Sequence, residues 1–280
     1  MCGVIVTADD FGLHARVNEA VVLAHCDGVL SAASLMVGAP AAPGAIACAR
    51  ELPTLAVGLH LVLADGYSVL PHSAIPDLVD REGRFTSSMT FEGLRFFCLP
   101  HVRAQAAAEI RAQFEAYAAT GLALDHVNTH KHFHLHPTVL ALILDIGLDF
   151  GLRAMRLPNE MHGSIMLRPW IALAKGRIDR AGIDRNDYVA GLALTGKMDE
   201  AAFLDVLRRP PRGVLEIYCH PASVGTGSIT PTMHGYRHAD ELAALRSPAV
   251  AAALASSGAM QGGFAAVFGH AARGEARMSA

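Results

Sequence analysis

Apolar runs of β type alternate with helix-type segments along the whole chain. Residues 3–8 read as a buried strand. Residues 16–27 place Val17, Ala20, Val21 and Ala24 at helical spacing until Gly28 stops them. A second strand is expected over 29–37, a short helix over 43–51 and a third strand over 55–60. Further on, Val102, Ala106, Ile110, Phe114 and Tyr117 mark an amphipathic helix ended by Gly121, and a strand follows over 122–129. Pro137 suits a first helical turn, with Val139, Leu142, Ile143 and Ile146 on the inner face of that helix. The pattern then gives a strand over 152–157, a helix over 167–181, a strand over 188–194, a helix over 200–208, a strand over 213–219 and a helix over 239–256.

Strands alternating with helices imply right-handed βαβ units on a parallel sheet. The first βα turn, "TADDFG", lacks the GxGxxG of a pyrophosphate-binding sheet. The expected fold is therefore α/β: a single-domain, incomplete or distorted (β/α) barrel of about seven parallel strands, with a doubly wound sheet as the alternative. Two stretches break the rhythm. Residues 64–100 are too long for an ordinary connection and too apolar for a disordered linker, so they read as an insertion over the mouth; residues 158–187 are the other. The barrel domain is expected over 1–270 and a frayed tail over 271–280.

With 280 residues and 52% hydrophobic content, the chain can bury a large core without staples. A net charge of −3 without a basic run gives no reason to expect a nucleic-acid partner. The five cysteines are scattered and form no CxxC, which argues against a disulfide framework or zinc ribbon and for a reducing cytoplasm. A strand begins within a few residues and no apolar run approaches a membrane span, so neither a signal peptide nor an anchor is expected.

Placed on this rhythm, the polar residues converge. Asp9 and Asp10 close the first strand, His60 the third, and Arg156 the fifth; His130 and His220 follow the fourth and seventh. In a parallel β/α fold the C-terminal strand ends share one face, which carries the active site. Of the 15 histidines, five fall in "HVNTHKHFHLHP", where strict alternation would align His126, Asn128, His130, His132, His134 and His136. Barrel strands are too short for all six to reach one point, so several are expected to cap, face solvent or back up a ligand. For the cluster as a whole, metal binding is the favoured reading.

Two imidazoles and one carboxylate leave coordination positions open for water and substrate. If Asp10 ligates a cation, the positive charge lets Asp9 stay ionised beside it as general base. The simpler reading of Asp10 is a helix N-cap. His220 is a candidate general acid, or an ordinary strand-end histidine before Pro221. Arg156 pairs with an acid such as Glu160, orients Asp9, or clamps substrate.

"ADDFG", "VGLHLVL", "HVNTHKHFHLHP" and "EIYCHP" together resemble the YdjC-like carbohydrate deacetylases, the family of the chitooligosaccharide deacetylase. "VNEAV", "SAASLMV" and "RLPNE" are similar to the branch associated with hopanoid biosynthesis. The resemblance implies a barrel-like fold, often dimeric, and one divalent metal ion, Mg2+ or Zn2+, held by Asp10, His60 and His130. It also implies Asp9 as base and, less directly, His220 as acid. Asn128, Arg156 and His132 are expected to be substrate-binding residues. The family often carries aspartate where this chain has Asn128, a departure shared with the hopanoid-associated branch.

The function expected is metal-dependent removal of an N-acetyl group from an amino sugar, on a small molecule or a glycolipid such as a glucosaminyl hopanoid. A homodimer with peripheral membrane contact accompanies that reading. A chitooligosaccharide substrate is the first alternative. A non-catalytic metal- or lipid-binding protein is another, and an Fe(II) oxygenase a third, disfavoured because helices alternate with strands. Phe85, Phe91, Phe96, Phe97, Met166 and Trp170 either pack on their own domain or a dimer partner, the preferred reading, or line an apolar groove above the site.

Overall fold

The computed structural model describes residues 2–161, 163 and 165–270. The tail expected over 271–280 lies outside the described residues. In chain order the elements are β1 (Gly3–Phe11), α1 (Ala15–Cys26), β2 (Ala32–Leu35), α2 (Ala42–Glu51), β3 (Ala56–Leu61), α3 (Met89–Cys98), α4 (Pro100–Ala119) and β4 (Val127–Thr129). After a 3-10 stretch over His130–Leu135 come α5 (Pro137–Asp149), α6 (Arg168–Arg180), β5 (Tyr188–Ala190), α7 (Glu200–Arg208) and β6 (Val214–Cys219). The chain continues through α8 (His238–Leu245), α9 (Pro248–Ser256), β7 (Met260–Gln261) and α10 (Phe264–Val267).

The sheet runs β4-β3-β2-β1-β6-β5, with β7 also on β1, and every pairing is parallel. Single parallel bridges, Val127 with Met155, Ala154 with Asp184 and Glu160 with Val189, carry residues 154–160 across the gap between β4 and β5. The result is a distorted (β/α) barrel, and the doubly wound alternative is set aside.

The strand inventory departs from the sequence pattern in two places. Residues 152–157 form only isolated bridges, because the segment crosses between neighbours and Pro158 brings no N–H to a ladder. The seventh strand is instead β7, two residues without an apolar pattern. The helix expected over 239–256 is two helices, since the Ser247 hydroxyl accepts from the Ala249 and Val250 amides and Pro248 starts a new first turn.

Alternation along the strands separates two cores. Val4, Val6 and Ala8 face outward and pack with Val17, Ala20 and Val21 of α1 in the main core. Ile5, Ala32, Ala154 and Val214 form a second, inner cluster with Phe264 of α10, which plugs the bottom of the barrel. Above it the interior is polar: Thr7, Ser34, His126, Arg156 and Glu216 are all fully buried. Among the described residues no helix is long and apolar enough to cross a membrane.

Candidate active site

Strict alternation would send Asp9 and Asp10 to opposite sides of β1. The strand avoids this with an irregularity between Ala8 and Phe11 and a left-handed residue, Asp10, at φ 63°. A bulge of this kind re-aims side chains next to active sites, and Asp tolerates the conformation better than most residues. Gly12 follows at φ +94°, where an added Cβ would crowd the Met36 carbonyl and Ala42 backbone. Asn18 holds the turn by accepting from the Gly12 amide. The N-cap of α1 is His14, and the Asp10 side chain has no hydrogen bond, so the capping reading of Asp10 is excluded.

Both carboxylate oxygens of Asp10 are buried without a hydrogen-bond partner. Around Oδ1 lie His130 Nδ1 at 3.0 Å and His60 Nε2 at 3.3 Å, and the two ring nitrogens are 3.4 Å apart. Ligands about 2.1 Å from one divalent ion stand about 3.0–3.4 Å from each other. The three atoms therefore have the spacing of a shared coordination sphere, and Asp10, His60 and His130 could hold a metal ion. Burial opposes ionisation of Asp10, yet the neighbouring His130 and His60 hold its carboxyl well below the usual range.

Asp9 has the opposite surroundings. Arg156 donates Nη2–H to its Oδ1 at 2.9 Å and Nη1–H to its Oδ2, and Asn128 Nδ2 donates to Oδ1 at 3.1 Å. Burial alone would raise its pKa, but the Arg156 guanidinium overrides this and keeps Asp9 ionised. The other side of Arg156 is bidentate on Glu216, at 2.9 and 2.7 Å, and Thr7 Oγ1 donates to the same carboxylate. The guanidinium also lies 4.5 Å from the Tyr218 ring centre. Arg156 is thus fully buried and committed: it orients Asp9, and is neither a partner of Glu160 nor a clamp that reaches substrate.

The histidine-rich stretch divides its members among distinct tasks. His60 Nδ1 lies 2.6 Å from Asn128 Oδ1, which places Asn128 beneath the candidate ligands rather than in the open mouth. His132 Nε2 reaches Tyr218 OH at 3.0 Å, and burial together with Arg156 keeps its ring neutral. His134 Nδ1 pairs with Thr129 Oγ1, and burial pushes its pKa down to about 3. His136 packs against Phe96 and Phe133. Lys131 and His132 are left-handed at φ 58° and 55°, a strained turn that lets His130 and His132 both face the mouth.

His220 follows β6 with Nε2 3.9 Å from Asp10 Oδ2 and Nδ1 unpartnered. Its amide donates to Glu241, which also accepts from Met198, and its carbonyl accepts from His238 Nδ1. Burial lowers its pKa, so the ring rests neutral. The sequence reading missed Glu216, Ser34 and Glu241. A glutamate inside the apolar run "VLEIYC" was the available signal for the first; nothing singled out the other two.

Chemically, the mouth offers three convergent metal-ligand atoms, a fixed carboxylate and a neutral imidazole within reach of one point. The YdjC-like protein family matches residues 3–256. The chain belongs to that family. Relatives of this YdjC-like chain include a carbohydrate deacetylase of Brevibacillus brevis, 31% identical over 85% of this chain and 88% of its own. A carbohydrate deacetylase of Geobacillus stearothermophilus is 30% identical over 91% and 93%. In architecture the chain is similar to an Enterococcus faecalis V583 protein provisionally described as a cellobiose-phosphate cleavage protein. The TM-score is 0.77 at 25% identity, over 94% of this chain and 97% of that one.

Proposed function

We propose that this YdjC-like protein is a metal-dependent carbohydrate N-deacetylase that releases acetate from an N-acetylated amino sugar. The observation that carries the reading is the Asp10, His60 and His130 triad, whose buried carboxylate oxygens have no hydrogen-bond partner. The relatives described as carbohydrate deacetylases support the same chemistry. A divalent ion held there would act as a Lewis acid toward the acetyl carbonyl and lower the pKa of water from ~15.7 toward ~7.

Asp9 is assigned the proton of the attacking water. Its pairing with Arg156 makes it a weak base by itself, so its share of the barrier depends on how acidic that water becomes. His220, neutral at rest and beside Asp10, would take over the proton that Asp9 removes from the water and pass it to the departing nitrogen, which leaves both groups as they began. His132 and Tyr218 supply polar contacts at the edge of the site. A storage site for metal would not need the fixed second carboxylate, which weighs against the non-catalytic reading.

For the acceptor we favour a glucosaminyl hopanoid over a chitooligosaccharide. The motifs shared with the hopanoid-associated branch support this, and so does a groove of about 820 Å³ that runs from His132 between α3 and α6. Its walls include Leu94, Phe97, Phe133 and Trp170, a surface for a polycyclic hydrocarbon rather than a second sugar. Phe85 and Phe96 are core residues, whereas Phe91, Phe97, Met166 and Trp170 are well exposed. That apolar rim would also suit peripheral membrane contact or the face of a homodimer. Purified protein should be offered N-acetylglucosaminyl hopanoid and diacetylchitobiose side by side; faster acetate release from the second would reverse the preference.

A further inference from the structure

Below the candidate metal ligands, the barrel interior holds a chain of hydrogen bonds that runs from the C-terminal plug to His60. The Asp125 carboxylate accepts from the Phe264 and Ala265 amides of α10 and lies 2.9 Å from His126 Nδ1. His126 Nε2 is 3.0 Å from Ser34 Oγ. Asn128 Nδ2 donates to Ser34 Oγ at 2.8 Å, and Asn128 Oδ1 faces His60 Nδ1 at 2.6 Å. His126, Ser34 and Asn128 are fully buried.

With the His126 ring neutral, each link has one workable polarity. An ionised carboxylate accepts only, so the His126 proton sits on Nδ1 and its Nε2 accepts the Ser34 hydroxyl. The Ser34 oxygen then accepts from the Asn128 amide nitrogen. That bond, with the second one from Asn128 Nδ2 to the Asp9 carboxylate, turns the amide oxygen toward His60, which donates to it from Nδ1. The remaining lone pair of His60 is on Nε2, the atom 3.3 Å from Asp10 Oδ1.

The His126 ring is closely packed where it stands. A Cβ on Gly58 would lie 2.5 Å from its ring atoms, and the Phe264 ring stacks on it with centroids 4.7 Å apart. The glycine of "VGLH" thus leaves room for the histidine that immediately precedes the neighbouring strand β4.

We propose that Asp125, His126 and Ser34 are positioning residues that act through Asn128 to hold His60 in the tautomer whose Nε2 is free for a divalent cation. Partners behind a metal-binding imidazole fix its tautomer and orientation, and removing them typically weakens metal binding by about 10- to 100-fold. The assignment rests on the metal reading of Asp10, His60 and His130, but not on the identity of the substrate.

The test uses full-length protein with 15N-labelled histidine, first free of metal and then titrated with Zn2+. Long-range 1H–15N spectra of the wild type, recorded at a pH high enough that the Asp9 and Asp10 carboxylates no longer keep the His60 ring cationic, should show His126 and His60 both protonated on Nδ1; a neutral ring of either that carries its proton on Nε2 would overturn the proposal. Ser34→Ala removes the hydroxyl, and His126→Phe keeps the stack on Phe264 but removes both ring nitrogens. Each should weaken Zn2+ binding about 10- to 100-fold and let the Nε2–H tautomer of His60 appear. A folded variant with an unchanged His60 tautomer and a Zn2+ Kd within about twofold of wild type would also overturn it. Should a variant fail to fold, the wild-type spectrum decides alone. Should the wild type bind no Zn2+, the metal reading falls while the same spectrum still decides the relay.

Discussion

Asp9 and Asp10 are chain neighbours with opposite surroundings: the Asp9 carboxylate accepts three hydrogen bonds, and the Asp10 carboxylate accepts none. The first is fixed and charge-compensated by protein; the second is left for a cation. The bulge and left-handed φ at Asp10 let both face one mouth despite their adjacency.

Asp9→Asn removes the proposed base while leaving all three candidate ligands in place. Turnover should fall about 10²- to 10⁴-fold, with Zn2+ affinity changed far less. Steady-state rates beside a calorimetric Zn2+ titration check this, and an undiminished rate would remove Asp9 from the proton transfer.

Among the described residues, Arg156 is the cation that bridges Asp9 and Glu216, and all three are buried. Arg156→Met leaves two buried carboxylates uncompensated, a change expected to cost about 3–5 kcal/mol. At about 2–4 °C per kcal/mol, Tm should drop by roughly 10 °C. A drop of only a degree or two in a thermal melt would mean that the ion pair contributes little.

Glu241 gives stability a pH dependence of its own. Burial pushes its carboxyl from 4.5 up to about 7, although the Met198 and His220 amides favour the anion. Because the folded-state value is the higher one, the stabilisation is complete below pH 4.5 and is lost as pH rises through about 7. The loss amounts to about 3 kcal/mol. Urea unfolding of wild type and Glu241→Gln from pH 4 to 8 should show this slope in the first and not in the second; parallel curves would refute the assignment.

The groove beside His132 should discriminate substrates by their apolar part. Phe97→Ala with Trp170→Ala removes two of its aromatic walls, and both side chains are about half exposed, so the fold should tolerate the change. With a glucosaminyl hopanoid KM should rise about 10-fold or more, from roughly 1–2 kcal/mol of lost apolar contact, while the kinetics on diacetylchitobiose stay as they are. Equal effects on the two substrates would show that the groove does not read the aglycone.

Much of this architecture was legible from periodicity, because alternating β and α patterns constrain a parallel fold strongly. The rhythm put Asp10, His60 and His130 at strand ends of one face, and the structure brings their ligand atoms within 3.4 Å. What stayed hidden depends on side-chain parity inside the barrel. Arg156 reaches Asp9 and Glu216 rather than Glu160, a choice set by which residues point inward on β1, on β6 and on the bridging segment between β4 and β5. Ser34 is an unremarkable serine in an apolar strand until Asn128 and His126 are placed on either side of it. Residues 152–157 looked like a strand because burial in a bridging segment produces the same apolar run as burial in a ladder.

Acetate release from an N-acetylated amino sugar, followed through metal removal and replacement, tests the central claim most directly. The purified protein should release acetate, lose that activity with a chelator, and regain it when Zn2+ or Mg2+ is added, whereas Asp10→Ala should stay inactive under the same additions. Acetate release that persists after exhaustive chelation, or that Asp10→Ala retains, would contradict a metal-dependent deacetylase built on this triad.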